Sequence, residues 1–304
     1  MKLSNLFLVH SFNEDVEVSG ARAEQRTVFR YLRKLSVEEL EALNNAIENV
    51  GFYSSGVDLF YSVQLNVEDL LRSILGFTER YMKEGVMGEA HMNMASLSFS
   101  RLTLNLLGMF KSFIDHGTSS LERKFGPDSE HSVEWKRRLS AEYDRSSAYR
   151  LFSNLRNYCQ HVGMPPIHFS IEQSRDIAGV TVVMEFVRDE LLSTYKRWSK
   201  DAKNDLLAGP ETISLLGTLQ EWSECFLRLA RWFSDLRRES AVAGAKLIMS
   251  LRDNFDLPLD GQIALMEEPA ANSQDDGVNF KARWISESKA KNVIDGVPYI
   301  EVVC

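Results

Sequence analysis

The stretch EAHMNMASLSFSRLTLNLLGMFKSFIDHG, residues 89–117, decides the fold. Leu102, Leu106, Met109, Phe110 and Phe113 recur at helical spacing, and Gly117 offers a C-terminal breaker. Apolar residues cover most of the circumference, as expected for a helix buried in a bundle. A narrow polar stripe remains, formed by Arg101, Asn105, Ser112 and Asp115 with Gly108 between them; it reads as a thin solvated face, the alternative being a lining of the motif cleft. A second long helical pattern runs from about 132 to 162, with Ala148, Leu151, Phe152, Leu155, Cys159 and Val162 on its apolar side. The expected fold class is mainly α, a helical bundle with a few short peripheral β-strands.

The flanks are more mixed. SVEELEALNNAI (36–47) opens with Ser36 followed three residues later by Glu39, a capping box that starts a helix. GVDLFYSVQL (56–65) places Val57, Leu59, Tyr61, Val63 and Leu65 on one side by strict alternation, which predicts a strand. NVEDLLRSILGFTERYMK (66–83) returns to helix with Asn66 as the expected cap. Beyond the second long helix, Ile167–Ile171 and Val180–Phe186 look like short strands of a hairpin, and RDELLSTYKRW resumes a helix. Residues 209–255 read as one long or two stacked helices, with Pro210 near the first turn. MEEPAANSQDDG (266–277) is a polar linker, and the last stretch, 278–304, is weakly strand-like. The chain then divides into a mixed region 1–88, a helical core 89–200, helices packed on that core at 201–257, and a linker with tail at 258–304.

Composition narrows the function classes. The chain has 304 residues, 44% hydrophobic and 26% charged, so it has ample material for a core. Its three cysteines, Cys159, Cys225 and Cys304, are far apart, which points to a reducing compartment rather than a disulfide framework. The first fifteen residues carry too many polar interruptions for a signal peptide, and no run approaches the ~20 apolar residues of a membrane span. A cytoplasmic protein with no membrane partner is expected. The net charge of −8 argues against a constitutive duplex-coating protein but leaves room for a cleft that holds a short single strand. The basic clusters at 22–34, 136–138 and 237–240 read as solvated helix faces.

The chemistry concentrates in LRNYCQHVGMPP, residues 155–166. Arg150, Asn154, Asn157 and His161 are spaced four, three and four apart and form one polar stripe, with Arg156 flanking it. Gly163 is the expected C′ residue, and Pro165 and Pro166 block continuation. His161 therefore falls in or just past the last turn, where the helix dipole favours a cation. Histidine changes charge near neutral pH and suits general acid–base work. Arg156 is permanently cationic and can hold a phosphate or stabilise its developing charge. Asn157 can orient the imidazole, while Arg150, Asn154 and Gln160 are candidate substrate contacts.

These residues resemble the signature of HEPN domains (higher eukaryotes and prokaryotes nucleotide-binding). That signature is an arginine, four to six residues and a histidine, commonly with a polar residue directly after the arginine. Arg156, Asn157 and His161 match it, at a helix end inside a helical region. The resemblance covers roughly 90–200. It implies a HEPN-like bundle that homodimerises and brings two motifs into one cleft. It further implies a metal-independent endoribonuclease without a cofactor, in which the ribose 2′-OH attacks the adjacent phosphate. His161 would transfer protons, Arg156 would contact the phosphate, and Asn157 would position. Many family members are toxins or antiviral effectors acting on host or phage RNA, some with a regulatory partner protein. Others have lost activity and serve as dimerisation, nucleotide-binding or protein-binding modules.

Other chemistries fail on inspection. His168 has no Cys, Asp or Glu at ligand spacing, so no metal site is expected. No phosphate-binding loop, dinucleotide fingerprint, nucleophile elbow or H-E-x-x-H occurs. Tyr158 and the tryptophans of KRW, QEW and ARW read as packing residues. Asp115 and His116 read as helix-end residues before Gly117.

Overall fold

The computed structural model describes residues 6–16, 24–173, 179–267 and 281–296. In chain order the elements are β1 (Leu6–Val16), β2 (Glu24–Lys34), α1 (Val37–Glu84), α2 (Glu89–Phe125), α3 (Glu130–Arg145) and α4 (Ser147–His161). There follow β3 (Ile167–Gln173), β4 (Val180–Val187), α5 (Arg188–Thr194), α6 (Lys200–Ala208), β5 (Thr212–Ser214) and α7 (Leu215–Asn254). The last elements are β6 (Gln262–Glu267), β7 (Ala282–Ile285) and α8 (Glu287–Asp295). The protein is mainly α with short antiparallel sheets. Among the described residues no helix is long and apolar enough to cross a membrane.

Two compact units do not follow the linear divisions at 88, 200 and 257. The first draws on both ends of the chain, up to Val57 and from Ser234, and the second is built from Asp58–Phe233. Helices α1 and α7 each contribute to both units.

In the first unit four strands pair in the order β2-β1-β6-β7, all antiparallel. One face of the sheet sends Leu6, Leu8, Ile263, Leu265 and Ile285 into a core completed by Leu40, Leu43, Ala46 and Tyr53 of α1 and Ala241, Ala245 and Ile248 of α7. Alternation of side chains across a strand produces that one-sided burial. The helices meet through small residues. A Cβ built on Gly244 would lie 2.7 Å from the Cα of Ala46, so α7 can only approach α1 this closely with glycine there. The capping box opens α1 as expected: Glu39 N–H donates to Ser36 Oγ at 3.2 Å, and Ser36 N–H donates to Glu39 Oε2 at 2.9 Å. The basic stretch 24–34 is edge strand β2 rather than a helix face, and most of the N-terminal fifteen residues form β1.

The second unit is the helical bundle. Phe110 and Phe113 of α2 meet Trp222 and Phe226 of α7 edge-on, with ring centroids of 5.0 Å for Phe110–Trp222 and 5.1 Å for Phe113–Phe226. Such edge-to-face pairs add to burial. The hairpin expected after the second long helix is present as β3 and β4, with Ile167 opposite Phe186 and Ile171 opposite Val182. A short β5 extends it.

Several expectations are corrected. The alternating segment 56–65 is not a strand. It continues α1, whose buried Phe60, Val63, Val67, Leu70 and Ile74 follow helical spacing. Asn66 is no cap: it sits mid-helix, and its amide donates to the carbonyl of Ser62 at 2.7 Å. Gly117 does not end α2, which runs to Phe125. Gly117 is where Trp135 and Phe233 press closest, 3.2 Å and 3.4 Å from a Cβ built there. The pattern 132–162 is two helices, broken at Ser146. Pro210 precedes β5 rather than opening a helix. Within the tail, 282–285 is a strand but 287–295 is helix α8. Residues 268–280 of the linker region and 297–304 of the tail lie outside the described residues.

The α1–α7 contact gives a paired expectation. Gly244→Ala should destabilise the protein by about 1–3 kcal/mol, the usual cost of overpacking. Gly51→Ala, on α1 with nothing within 4 Å of the new Cβ, should stabilise it by ~0.4–1 kcal/mol. Thermal and urea unfolding of both variants checks the sign of each change.

Candidate functional site

Helix α4 carries the motif, and its N-terminal half is fixed in place. Ser146 is the cap: its hydroxyl accepts from the backbone N–H of Tyr149 at 3.1 Å and donates to Glu221 Oε1 at 2.6 Å. Side-chain capping satisfies one of the helix's unpaired N–H groups. One turn earlier, buried Glu142 receives Arg228 through two hydrogen bonds, 2.9 and 2.8 Å. Burial alone would raise the Glu142 carboxyl, but hydrogen bonding and charge from Arg228 outweigh it and hold the carboxyl below its ordinary 4.5. These contacts tie the α3–α4 break to α7.

Arg150 and Asn154, expected as substrate contacts, are occupied by the fold. Arg150 forks onto Asp205 of α6, at 2.5 Å from Nε and 3.1 Å from Nη2, while Nη1 donates to the carbonyls of Tyr143 and Asp144 at 2.6 and 2.9 Å. That pairing holds the Arg150 guanidinium above its usual pKa range. Asn154 is buried, accepts from Ser199 N–H at 3.0 Å and donates to Ser199 Oγ at 3.2 Å. Ser199 is itself the cap of α6. Both residues therefore dock α6 onto α4, and their polar atoms face internal partners.

The C-terminal half of α4 is different. Arg156 is half-buried, and its Nη1 donates to Gln160 Oε1 and, at 3.4 Å, to Asn157 Oδ1. Gln160 and His161 are exposed. The His161 ring lies nearly parallel to Tyr195, with planes 10° apart and centroids at 6.4 Å. Tyr158 faces inward, with its ring 5.8 Å from Tyr195 and its hydroxyl accepting from Thr194 at 3.2 Å. Cys159 points to partly buried surroundings that push its thiol up to about 12, which removes it as a nucleophile at neutral pH. Gly163 does not take the left-handed conformation. Val162 caps the helix instead, its N–H donating to Tyr158 at 2.8 Å.

Arg156 and Asn157 open onto a cleft of about 430 Å³ between α2, α3 and α4. Leu107, Phe110, Ile114, Leu139 and Phe152 line its apolar part, and Lys111, Ser140, Asp144 and Ser153 add polar groups. The structure thus brings Arg156 and Asn157 together on one cleft and leaves His161 at the exposed helix end, outside the cleft's lining. The cleft offers cations with amide and hydroxyl donors, and the imidazole of His161 lies on another side of the same helix end, beside Tyr195. Among the described residues no cluster of three or more His, Cys, Asp or Glu could hold a metal ion, and His168 pairs instead with Glu190 at 2.6 Å.

Sequence reasoning missed Tyr195, Lys111, Asp144, Asp205 and Ser199. The Ser199 cap had a readable signal, a serine opening SKDAKND. Lys111 lies one turn before Asp115 of the α2 polar stripe, pairs with it, and also lines the cleft. Tyr195 and Asp205 gave no local signal. Comparison with protein-family models, with curated proteins and with solved structures gives no match to this chain.

Glu142 sets a pH-dependence. Its folded pKa is depressed, so its contribution is present above the ordinary carboxylate range and lost as pH falls through the folded value. Glu142→Gln should cost about 1 kcal/mol near pH 7, since half-exposed Arg228 is screened by solvent. The gap between variant and wild type should close as the pH is lowered below 4.5. Urea midpoints measured from pH 7 to pH 3 check this, and a gap that widens towards acid would contradict it.

Proposed function

We propose that this protein is a metal-independent endoribonuclease of HEPN type. The observation that carries the proposal is the division along α4: Arg156 and Asn157 line an open cleft, and His161 is exposed one turn further on. Arg156 holds the scissile phosphate and stabilises the charge that grows on its oxygens as the ribose 2′-OH attacks phosphorus. His161 removes the 2′-OH proton, and the bond to the 5′-oxygen breaks, leaving a 2′,3′-cyclic phosphate and a 5′-OH. The leaving oxygen takes a proton from a second histidine, supplied by a second copy of the chain. Asn157 positions the guanidinium of Arg156, whose Nη1 already contacts it.

Homodimerisation is part of this reading, and the surface near the motif supports it. Val162 and Met164 are exposed beyond the end of α4, and Met94 and Leu97 are exposed on α2. Ser100, one turn after Leu97, donates to the carbonyl of Pro165, which ties this part of α2 to the segment after α4. A cellular RNA target fits a cytoplasmic toxin or antiviral effector, with a companion protein as its regulator.

The test is cleavage of total and synthetic RNA in chelator by wild type, His161→Ala and Arg156→Ala. Each substitution should slow cleavage by about 10²–10⁴-fold. Cleavage that survives both removes the assignment from this site. A wild type that cleaves nothing under several activation conditions would favour a non-catalytic dimerisation or binding module.

A further inference from the structure

The cleft between α2, α3 and α4 has more chemistry than a phosphate contact needs. Its volume, about 430 Å³, lies in the range of small-ligand sites, roughly 300–1,000 Å³. Its apolar part is built from Leu107, Phe110, Ile114, Leu139 and Phe152, which suits a flat, π-faced ring. Two cations line it, Arg156 and Lys111. Lys111 is paired with Asp115 at 2.5 Å on an exposed helix surface, an ion pair of little net worth that a phosphate can displace. The same lining contains one carboxylate, Asp144, which is exposed and has no cationic partner among the described residues. A ligand that satisfies all three features has an aromatic face, an anionic group, and hydrogen-bond donors for a carboxylate.

We propose that this cleft seats a guanosine monophosphate moiety, with the base on the apolar lining, the phosphate on Arg156 and Lys111, and the guanine N1–H and N2–H₂ donated to Asp144. The choice among bases follows from what a carboxylate can do. It only accepts, through two oxygens side by side. Guanine alone presents two adjacent donors on its pairing edge. Adenine and cytosine set one amine beside an acceptor nitrogen, and uracil flanks its single N–H with carbonyl oxygens that repel a carboxylate. The inference deepens the ribonuclease reading and rests on it for a guanosine within an RNA strand. A free guanine nucleotide offers the same chemistry.

Calorimetric titration of the full chain with GMP, IMP and AMP tests the pocket without any need for activity. GMP should bind, IMP, which lacks N2–H₂, should bind about tenfold weaker, and AMP weaker still. Asp144→Asn should bring GMP to the level of IMP, and Lys111→Ala should weaken GMP but not guanosine. Both positions are on the surface, and circular dichroism confirms that the variants fold. Equal binding of GMP and IMP, or a guanine preference untouched in Asp144→Asn, overturns the proposal. A second arm separates the sources: oligoadenylate containing a single guanosine should be cut beside it by wild type, with the preference lost in Asp144→Asn. Cleavage at all bases without GMP binding would overturn the pocket and leave the ribonuclease reading standing. Asp144-dependent GMP binding without cleavage would uphold the pocket and sink the ribonuclease reading.

Discussion

The hydroxyl of Ser146 is the pivot of the bundle. The chain could have continued as one helix from α3 through α4, and its apolar periodicity suggests as much. Instead Ser146 leaves the helical region, caps the N-terminus of α4 and donates to Glu221. That single residue, with extended backbone, divides the run into two helices. Beside the break, Arg150 reaches back to the carbonyls of Tyr143 and Asp144 and outward to Asp205. Buried Glu142, held by Arg228, anchors the same break from the α3 side. A capping hydrogen bond is worth about 1 kcal/mol in isolation. Here it also sets the position of every polar side chain that follows on α4, so its structural consequence exceeds its own energy.

From that pivot the helix separates two tasks. Arg150 and Asn154 spend their hydrogen-bonding capacity inside the fold, one on Asp205 and one on Ser199. Arg156, Asn157, Gln160 and His161 have partners close by on α4 or on the neighbouring Tyr195, and their other faces are open. A rigid base supporting an open end is what a preorganised site requires, because catalytic or binding groups lose effect when they are loosely held. The partly buried thiol of Cys159, inert at neutral pH, and the inward Tyr158 belong to the supporting part even though both lie within the motif.

How much of this was legible in the sequence depends on how far apart the partners are. The capping box at Ser36 and Glu39 is local and was readable, as was the β3–β4 hairpin. The misread segment 56–65 shows the limit of a short window. Val57, Leu59, Tyr61, Val63 and Leu65 alternate, yet Phe60, Val63, Val67, Leu70 and Ile74 are the buried set. Only a window carried through Asn66 would have favoured the helical period. The first sheet was out of reach for another reason: β1 pairs with β6, about 250 residues later, as in Val9 opposite Ala264. The same holds at the site. The stripe of Arg150, Asn154, Asn157 and His161 was visible, but the partners that fix its first half lie 55 and 45 residues further on. Spacing placed these side chains on one face, and only the fold distinguished those that are occupied from those that are offered.

The acidic body of the protein sharpens that distinction. With a net charge of −8, the chain as a whole repels polyanions. A polyanion is then held best where cations are gathered on a surface that can also release water. The cleft sets Arg156 and Lys111 beside an apolar lining. Burial of that lining strengthens a charge–phosphate contact beyond its value at an open surface, because the local dielectric falls. Asp144 works against any anion placed beside it, so it restricts which part of a ligand can lie there. Two cations and one carboxylate give the cleft a fixed polarity. On the proposed reading, that polarity suits a single phosphate with its attached ring better than an extended duplex, which needs a broad basic face.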